Sequence, residues 1–208
     1  MEESRRERKK RLTRERIIAA ALRLFDEQGY EQTTLAQIAA AADVDPKTFS
    51  SYFRGKDEVL FVDVERNFDM LLGALAERRP QEGPGELLAR MVQEYGAYRR
   101  PLVPSRKPEE LPVPYRLVLS TPALQAKALY LIVDLQRRIT DELLKAFPRL
   151  DPITAAAMTG ALMGAIQQAT LASVQLGRSQ DELWEASRRG LDIALNGLLS
   201  VRPDSGGP

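Results

Sequence analysis

Apolar residues recur three and four apart along most of this chain, the spacing of a helix with one buried face. Ile17, Ile18, Ala21, Leu24 and Phe25 mark a first helix over 13–28, and Gly29 ends it with a left-handed backbone. Leu35, Ile38 and Ala39 form the buried stripe of a short second helix. Thr34 is its cap, and Gln37, three residues on, completes a capping box. Asp43 falls at the next turn, where aspartate tolerates a left-handed backbone. Asp45 caps a third helix and Pro46 takes its first position, which needs no amide donor. Phe49 and Phe53 face inward, while Lys47, Ser50, Ser51 and Arg54 share the opposite side. A short helix with an apolar back and a front of small or basic residues suits a major groove. This pattern predicts a helix-turn-helix that binds DNA.

Gly55 separates these helices from a fourth, expected to run unbroken over 56–79 with Val59, Leu60, Val64, Phe68, Leu71, Leu72 and Leu75 inward. Pro80, Gly83, Pro84 and Gly85 predict a loop, and 86–99 a further helix. Pro101, Pro104, Pro108, Pro112 and Pro114 then exclude a regular helix, leaving a connector or a flap over a cavity. Helices follow over 115–120, 122–146, 152–176 and 179–199, with a disordered tail over 201–208. No repeat and no strand pattern appears, so the fold class is all-α.

Length and charge sharpen this picture. The 208 residues suffice for a DNA-binding head and a second domain, and the net charge of +1 excludes a uniformly basic coat. Any charge for DNA must be local. Arg5, Arg6, Arg8, Lys9, Lys10, Arg11, Arg14 and Arg16 stand against only Glu7 and Glu15, a run that reads as a solvated tail or as a flexible arm on phosphates. The chain has no cysteine and no histidine, which removes thiol chemistry, histidine bases and the usual structural zinc ligands. No paired acids or glycine-rich phosphate loop stand out, so no catalytic residue, cofactor or metal is expected. The absence of cysteine fits a reducing cytoplasm.

The uncharged run over 152–177 is long enough for a bilayer, but Gln167 and Gln168 would be costly at mid-span. A helix packed on a second copy of the chain explains it better. Gly160 and Gly164 would allow close approach, and Trp184, Leu191 and Leu195 would supply bulk to a homodimer interface.

RERIIAAALRLFDEQGYEQTTLAQIAAAADVDPKTFSSYFRGKDEVL, the core of a stretch over about 11–64, resembles the TetR family of transcriptional regulators. The marks are Ala21, Phe25, Gly29, Thr34 with Ile38 and Ala39, Val44, Thr48 with Phe49, Tyr52 with Phe53, and Lys56. The resemblance implies a three-helix head and a helical regulatory domain that dimerises and binds a small molecule. It implies phosphate contacts by Thr34, Thr48, Tyr52 and Lys56, and base contacts by Pro46, Lys47, Ser50 and Ser51. Asp43, Asp45 and Ser50 depart from the family's common glycine, serine and aromatic residue at those positions. PYRLVLSTPALQAKAL, over 114–129, resembles a subset of these regulators with an acyl-CoA-like ligand domain. That likeness implies a pocket lined by Phe68, Leu72, Met91, Tyr95, Tyr98, Leu119, Met158 and Met163, with Arg99, Arg100 or Arg116 on an anionic group.

The expected organisation is a basic arm over 1–10, a DNA-binding domain over 11–57, a regulatory domain over 58–200 and a tail over 201–208. The leading reading is a dimeric, ligand-responsive repressor with double-stranded operator DNA and a small apolar or acyl-CoA-like effector as partners. An enzyme carrying a DNA-binding head and a membrane-attached regulator are the alternatives.

Overall fold

Local caps set several element boundaries. In the computed structural model, which describes residues 4–99 and 113–197, Ser4 opens α1 (Arg5–Gln28) with a capping box, its Oγ accepting from the Glu7 amide at 3.2 Å. Thr34 does the same for α2 (Leu35–Ala41), accepting from the Gln37 amide at 3.2 Å while its own amide donates to Gln37 Oε1 at 2.8 Å. Asp45 caps α3 (Pro46–Tyr52), Gly55 precedes α4 (Lys56–Leu60), and α5 (Val64–Ala76) follows. The remaining helices are α6 (Pro84–Arg99), α7 (Val113–Ser120), α8 (Pro122–Ala146), α9 (Pro152–Gln175) and α10 (Gln180–Asn196). No strand occurs among the described residues, and the all-α class holds.

Several expectations change. The basic segment expected as an arm is helical from Arg5, because Ser4 and Glu7 satisfy the first free amides. The fourth helix is two helices: the Phe61 amide closes on the Asp57 carbonyl and the Val64 amide on the Phe61 carbonyl, making a turn between α4 and α5. No glycine or proline stands there, and Asp63 just before Val64 is the one local residue of a type that favours a helix start. Pro84 begins α6 rather than sitting in the preceding loop, as suits a residue that needs no amide partner. The proline-rich stretch up to Pro112, Arg100 and the tail over 201–208 lie outside the described residues, while Pro114 falls in the first turn of α7.

The described residues form two units. One comprises the described parts of Met1–Glu65 and Pro112–Leu129, the other those of Arg66–Leu111 and Tyr130–Pro208. The first buries Ile17, Ala21 and Phe25 of α1, Ile38 and Ala39 of α2, Phe49 and Phe53, and Val59 and Leu60 of α4. Leu124 is buried in the same cluster, with Val113, Leu117 and Val118 packed against it. The segment over 113–129, expected in the regulatory domain, therefore completes the core of the head. Arg116 reinforces this by pairing with Asp26 of α1 at 2.5 Å.

In the second unit α5 contributes Phe68, Leu71 and Leu75, α6 Leu87, Leu88 and Met91, and α8 Leu135, Ile139 and Leu143. Arg90 braces the α5–α6 connection, its Nε donating to Glu82 Oε1 at 2.7 Å and its Nη2 to the Glu77 carbonyl at 2.9 Å. Helices α9 and α10 pack against one another, and Gly190 of α10 sits directly on the α9 backbone. A Cβ there would stand 2.7 Å from the Ala165 carbonyl oxygen. Among the described residues no single helix is long and apolar enough to cross a membrane, and α9, weighed above as a span, fails that test.

Candidate nucleic-acid interface

The two short helices α2 and α3 are joined by a turn that depends on Asp43. Its φ of 52° lets the Val44 amide reach back to the Ala39 carbonyl at 3.0 Å. Arg16 of α1 lies 3.8 Å from the Asp43 carboxylate and offsets its charge. At the start of α3 the Asp45 carboxylate accepts from the Thr48 amide at 2.9 Å and from the Thr48 hydroxyl at 2.7 Å. Those bonds, the hydroxyl's first, hold the Asp45 carboxyl below the usual carboxylate range. Asp45 is thus a charged helix cap, as expected.

Phe49 is buried at the back of α3 and tilts against Phe53, ring centroids 5.8 Å apart. The front stays open: Pro46, Lys47, Ser50, Ser51 and Arg54 are exposed, with Thr48 and Tyr52 half-buried at the margins. Both serine hydroxyls donate back into the helix, Ser50 to the Pro46 carbonyl at 3.0 Å and Ser51 to the Thr48 carbonyl at 2.7 Å. Their lone pairs then face outward, and with Lys47 and Arg54 they form a low, partly cationic surface. Thr34 is exposed at the start of α2.

Two residues differ from expectation. Leu35, assigned to the buried stripe of α2, is 39% exposed, because the first turn of so short a helix overhangs the core. Lys56 has an internal role that its sequence position did not reveal. Its ammonium donates to the Tyr30, Glu31 and Thr33 carbonyls at 2.6, 3.3 and 3.2 Å, and stands 4.2 Å from the Tyr30 ring centroid. It gathers the carbonyls of the α1–α2 turn, which lie past the helix end and have no helical partner. Burial, with Asp57 and Glu31, raises the Tyr30 phenol to about 12. Nothing local signals this role, because the carbonyls lie 23–26 positions away along the chain.

The expected ligand residues fall in both units. Arg116 and Leu119 belong to the first unit, where Arg116 is committed to Asp26 and Leu119 is 41% exposed. Phe68, Leu72, Met91, Tyr95, Tyr98, Met158 and Met163 belong to the second, where Phe68 and Met91 are core. A shallow hollow in that unit is lined instead by Arg78, Pro84, Phe147 and their neighbours. Of the expected dimer residues, Gly160 and Leu195 are exposed, Gly164 and Trp184 half-buried, and Leu191 is buried within its own chain. Leu191 thus packs into the core of its own chain.

A capped two-helix turn with an open third-helix front defines a helix-turn-helix protein. Residues 17–62 match the model of the bacterial regulatory proteins of the tetR family, which makes this N-terminal segment a TetR-family DNA-binding domain. It is similar to the HTH-type transcriptional regulator TcmR of Streptomyces glaucescens, 36% identical over 141 residues, or 64% of this chain and 60% of TcmR. The chain thus spans less than two thirds of that relative. Among solved structures it resembles Thermus thermophilus FadR, a TetR-family repressor in complex with lauroyl-CoA, at 23% identity and TM-score 0.53, covering 94% of this chain and 100% of that one. It also resembles SmeT in complex with triclosan, at 20% identity and TM-score 0.59, covering 94% and 97%. At these identities the likeness establishes the fold.

Proposed function

We propose that this chain is a homodimeric, ligand-responsive transcriptional repressor of pseudo-palindromic operators. The observation that carries this reading is the exposed front of α3, where Lys47 stands among small side chains, held by the Asp45 cap and the buried Phe49. Two such heads would enter successive major grooves about 34–36 Å apart. Pro46, Lys47, Ser50 and Ser51 would meet bases, with Thr34, Thr48 and Tyr52 on the flanking phosphates.

Dimerisation would use the outer faces of α9 and α10. Ile153 is 80% exposed there, and a Cβ at Gly160 or Gly164 would meet nothing of its own chain. The effector would be a small apolar or acyl-CoA-like molecule in the second unit. That reading draws support from the lauroyl-CoA bound to FadR and the triclosan bound to SmeT, each on the same fold. The effector acts by binding two conformers with different affinity.

Selection of duplexes from a random pool, followed by affinity measurements with and without acyl-CoAs of graded chain length, tests the whole reading. A symmetric selected site, released in proportion to acyl length, supports it. Recovery of no preferred sequence counts against the DNA-reading role. A selected site insensitive to every acyl-CoA discards that effector class alone.

A further inference from the structure

Among the described residues, the first two turns of α1 are buried against nothing. Every residue from Arg5 to Leu12 is exposed, and Thr13 is the first that is buried. Ile17, Ala20 and Ala21 make the inward stripe, and that stripe continues toward the N-terminus at Arg6 and Lys10. Charged residues where a packed helix would need apolar ones mean that no protein surface is meant to cover these turns. Six of the eight side chains from Arg5 to Leu12 are basic and one is acidic, while the entire chain carries only +1. The rest of the molecule is therefore net acidic. Among the described residues, Arg5, Arg6, Arg8, Lys9 and Lys10 have no acidic partner.

Such crowding of positive charge at a helix N-terminus opposes the helix dipole and favours unfolding. Here the Ser4–Glu7 capping box opposes that tendency. The extension is also continuous with the reading head. Arg5, Lys9, Leu12 and Arg16 fall on one stripe of α1, and Arg16 is the residue that meets Asp43 in the turn before α3. Eight helical residues span about 12 Å, which carries the charge clear of the head's core.

We infer that Arg5–Leu12 is a rigid basic spur that grips DNA phosphates flanking the site read by α3. It acts as a fixed projection of α1 rather than as a flexible arm, and it rests on the DNA-binding reading proposed above. The spur supplies sequence-independent affinity to a molecule whose remaining charge repels DNA.

The test uses the full chain and three duplexes: the selected operator trimmed to its site, the same operator with ten added base pairs on each side, and a random sequence of the longer length. Dissociation constants are measured by fluorescence anisotropy across a salt series. Arg5→Gln with Lys9→Gln removes charge but keeps good helix formers, and circular dichroism checks that the fold is intact. Leu12→Pro keeps every charge but uncouples the spur, since proline there becomes a new first-turn residue.

The wild type should bind the flanked operator more tightly than the trimmed one. The double glutamine variant should lose that advantage, and its salt slope should fall by about 0.9 for each phosphate released, with operator-over-random discrimination retained. Leu12→Pro should lose most of the same advantage. Equal slopes for wild type and double variant overturn the spur, as does equal binding of trimmed and flanked operator. A fully active Leu12→Pro overturns the rigid helix in favour of a flexible arm. Failure of the wild type to bind any duplex removes both the spur and the DNA-binding reading. Sedimentation with vesicles rich in phosphatidylglycerol gives the competing partner class: losses confined to vesicle binding in the double variant would reassign the spur to an anionic membrane.

Discussion

Thr159 of α9 is 1% exposed, and its hydroxyl has no hydrogen-bond partner among the described residues. Burying such a group costs about 1–3 kcal/mol, so Thr159→Val, which keeps the shape and removes the hydroxyl, should raise stability by roughly 1 kcal/mol. A lower denaturation midpoint in urea would show that the hydroxyl is satisfied after all. Two lysines near α3 separate by the same reasoning. Lys47 is exposed on the front, so Lys47→Ala should leave the melting temperature unchanged and relax base preference. Lys56 holds three carbonyls, so Lys56→Ala should cost about 1–3 kcal/mol and weaken binding to every sequence. Melting curves paired with anisotropy on specific and random duplexes check both, and equal behaviour of the two variants would refute the distinction. At this scale much was legible: Thr34 with Gln37, Asp43, and Asp45 with Pro46 all act across three or four residues, as their spacing implied.

Between elements, two contacts carry testable weight. Glu82 accepts from the Arg90 guanidinium and the Arg79 amide, which lowers its carboxyl from 4.5 to about 2. Because the folded value lies below the unfolded one, the stabilisation is complete above about pH 4.5 and disappears as the pH falls through about 2. Glu82→Gln should therefore melt lower than wild type at pH 7, with the gap closing between pH 4.5 and 2. A gap independent of pH would mean that packing, rather than charge, is what the substitution removes. Gly190 sits where α10 meets the backbone of α9, so Gly190→Ala must push the helices apart, at about 1–3 kcal/mol. Chemical denaturation reads that loss, and an unaffected midpoint would mean the helix pair is looser than its geometry.

For the whole molecule, the contrast between two glycines separates folding from assembly. Gly190 is buried against its own chain, whereas a Cβ at Gly160 meets nothing there. Gly160→Arg should leave the circular dichroism spectrum and monomer fold intact, while analytical ultracentrifugation shows a dimer reduced to monomers. DNA affinity should fall with it, since two linked heads bind far more tightly than one. A variant that stays dimeric would move the interface elsewhere.

The amino-acid sequence by itself determined the helices, their caps, the turn at Asp43 and the apolar back of α3. Each rests on interactions among near neighbours, and periodicity and capping residues record those directly. Tertiary structure alone decided five further matters. It broke the helix at Phe61, where no proline or glycine signals an end. It placed Leu117 and Leu124 with the N-terminal core and joined Arg116 to Asp26 across ninety positions of chain. It committed Lys56 to the α1–α2 turn and sent Leu191 into its own chain's interior. Each of these depends on which distant surfaces meet. An apolar or basic side chain carries the capacity to be buried or paired, but its partner is chosen only when the whole chain packs.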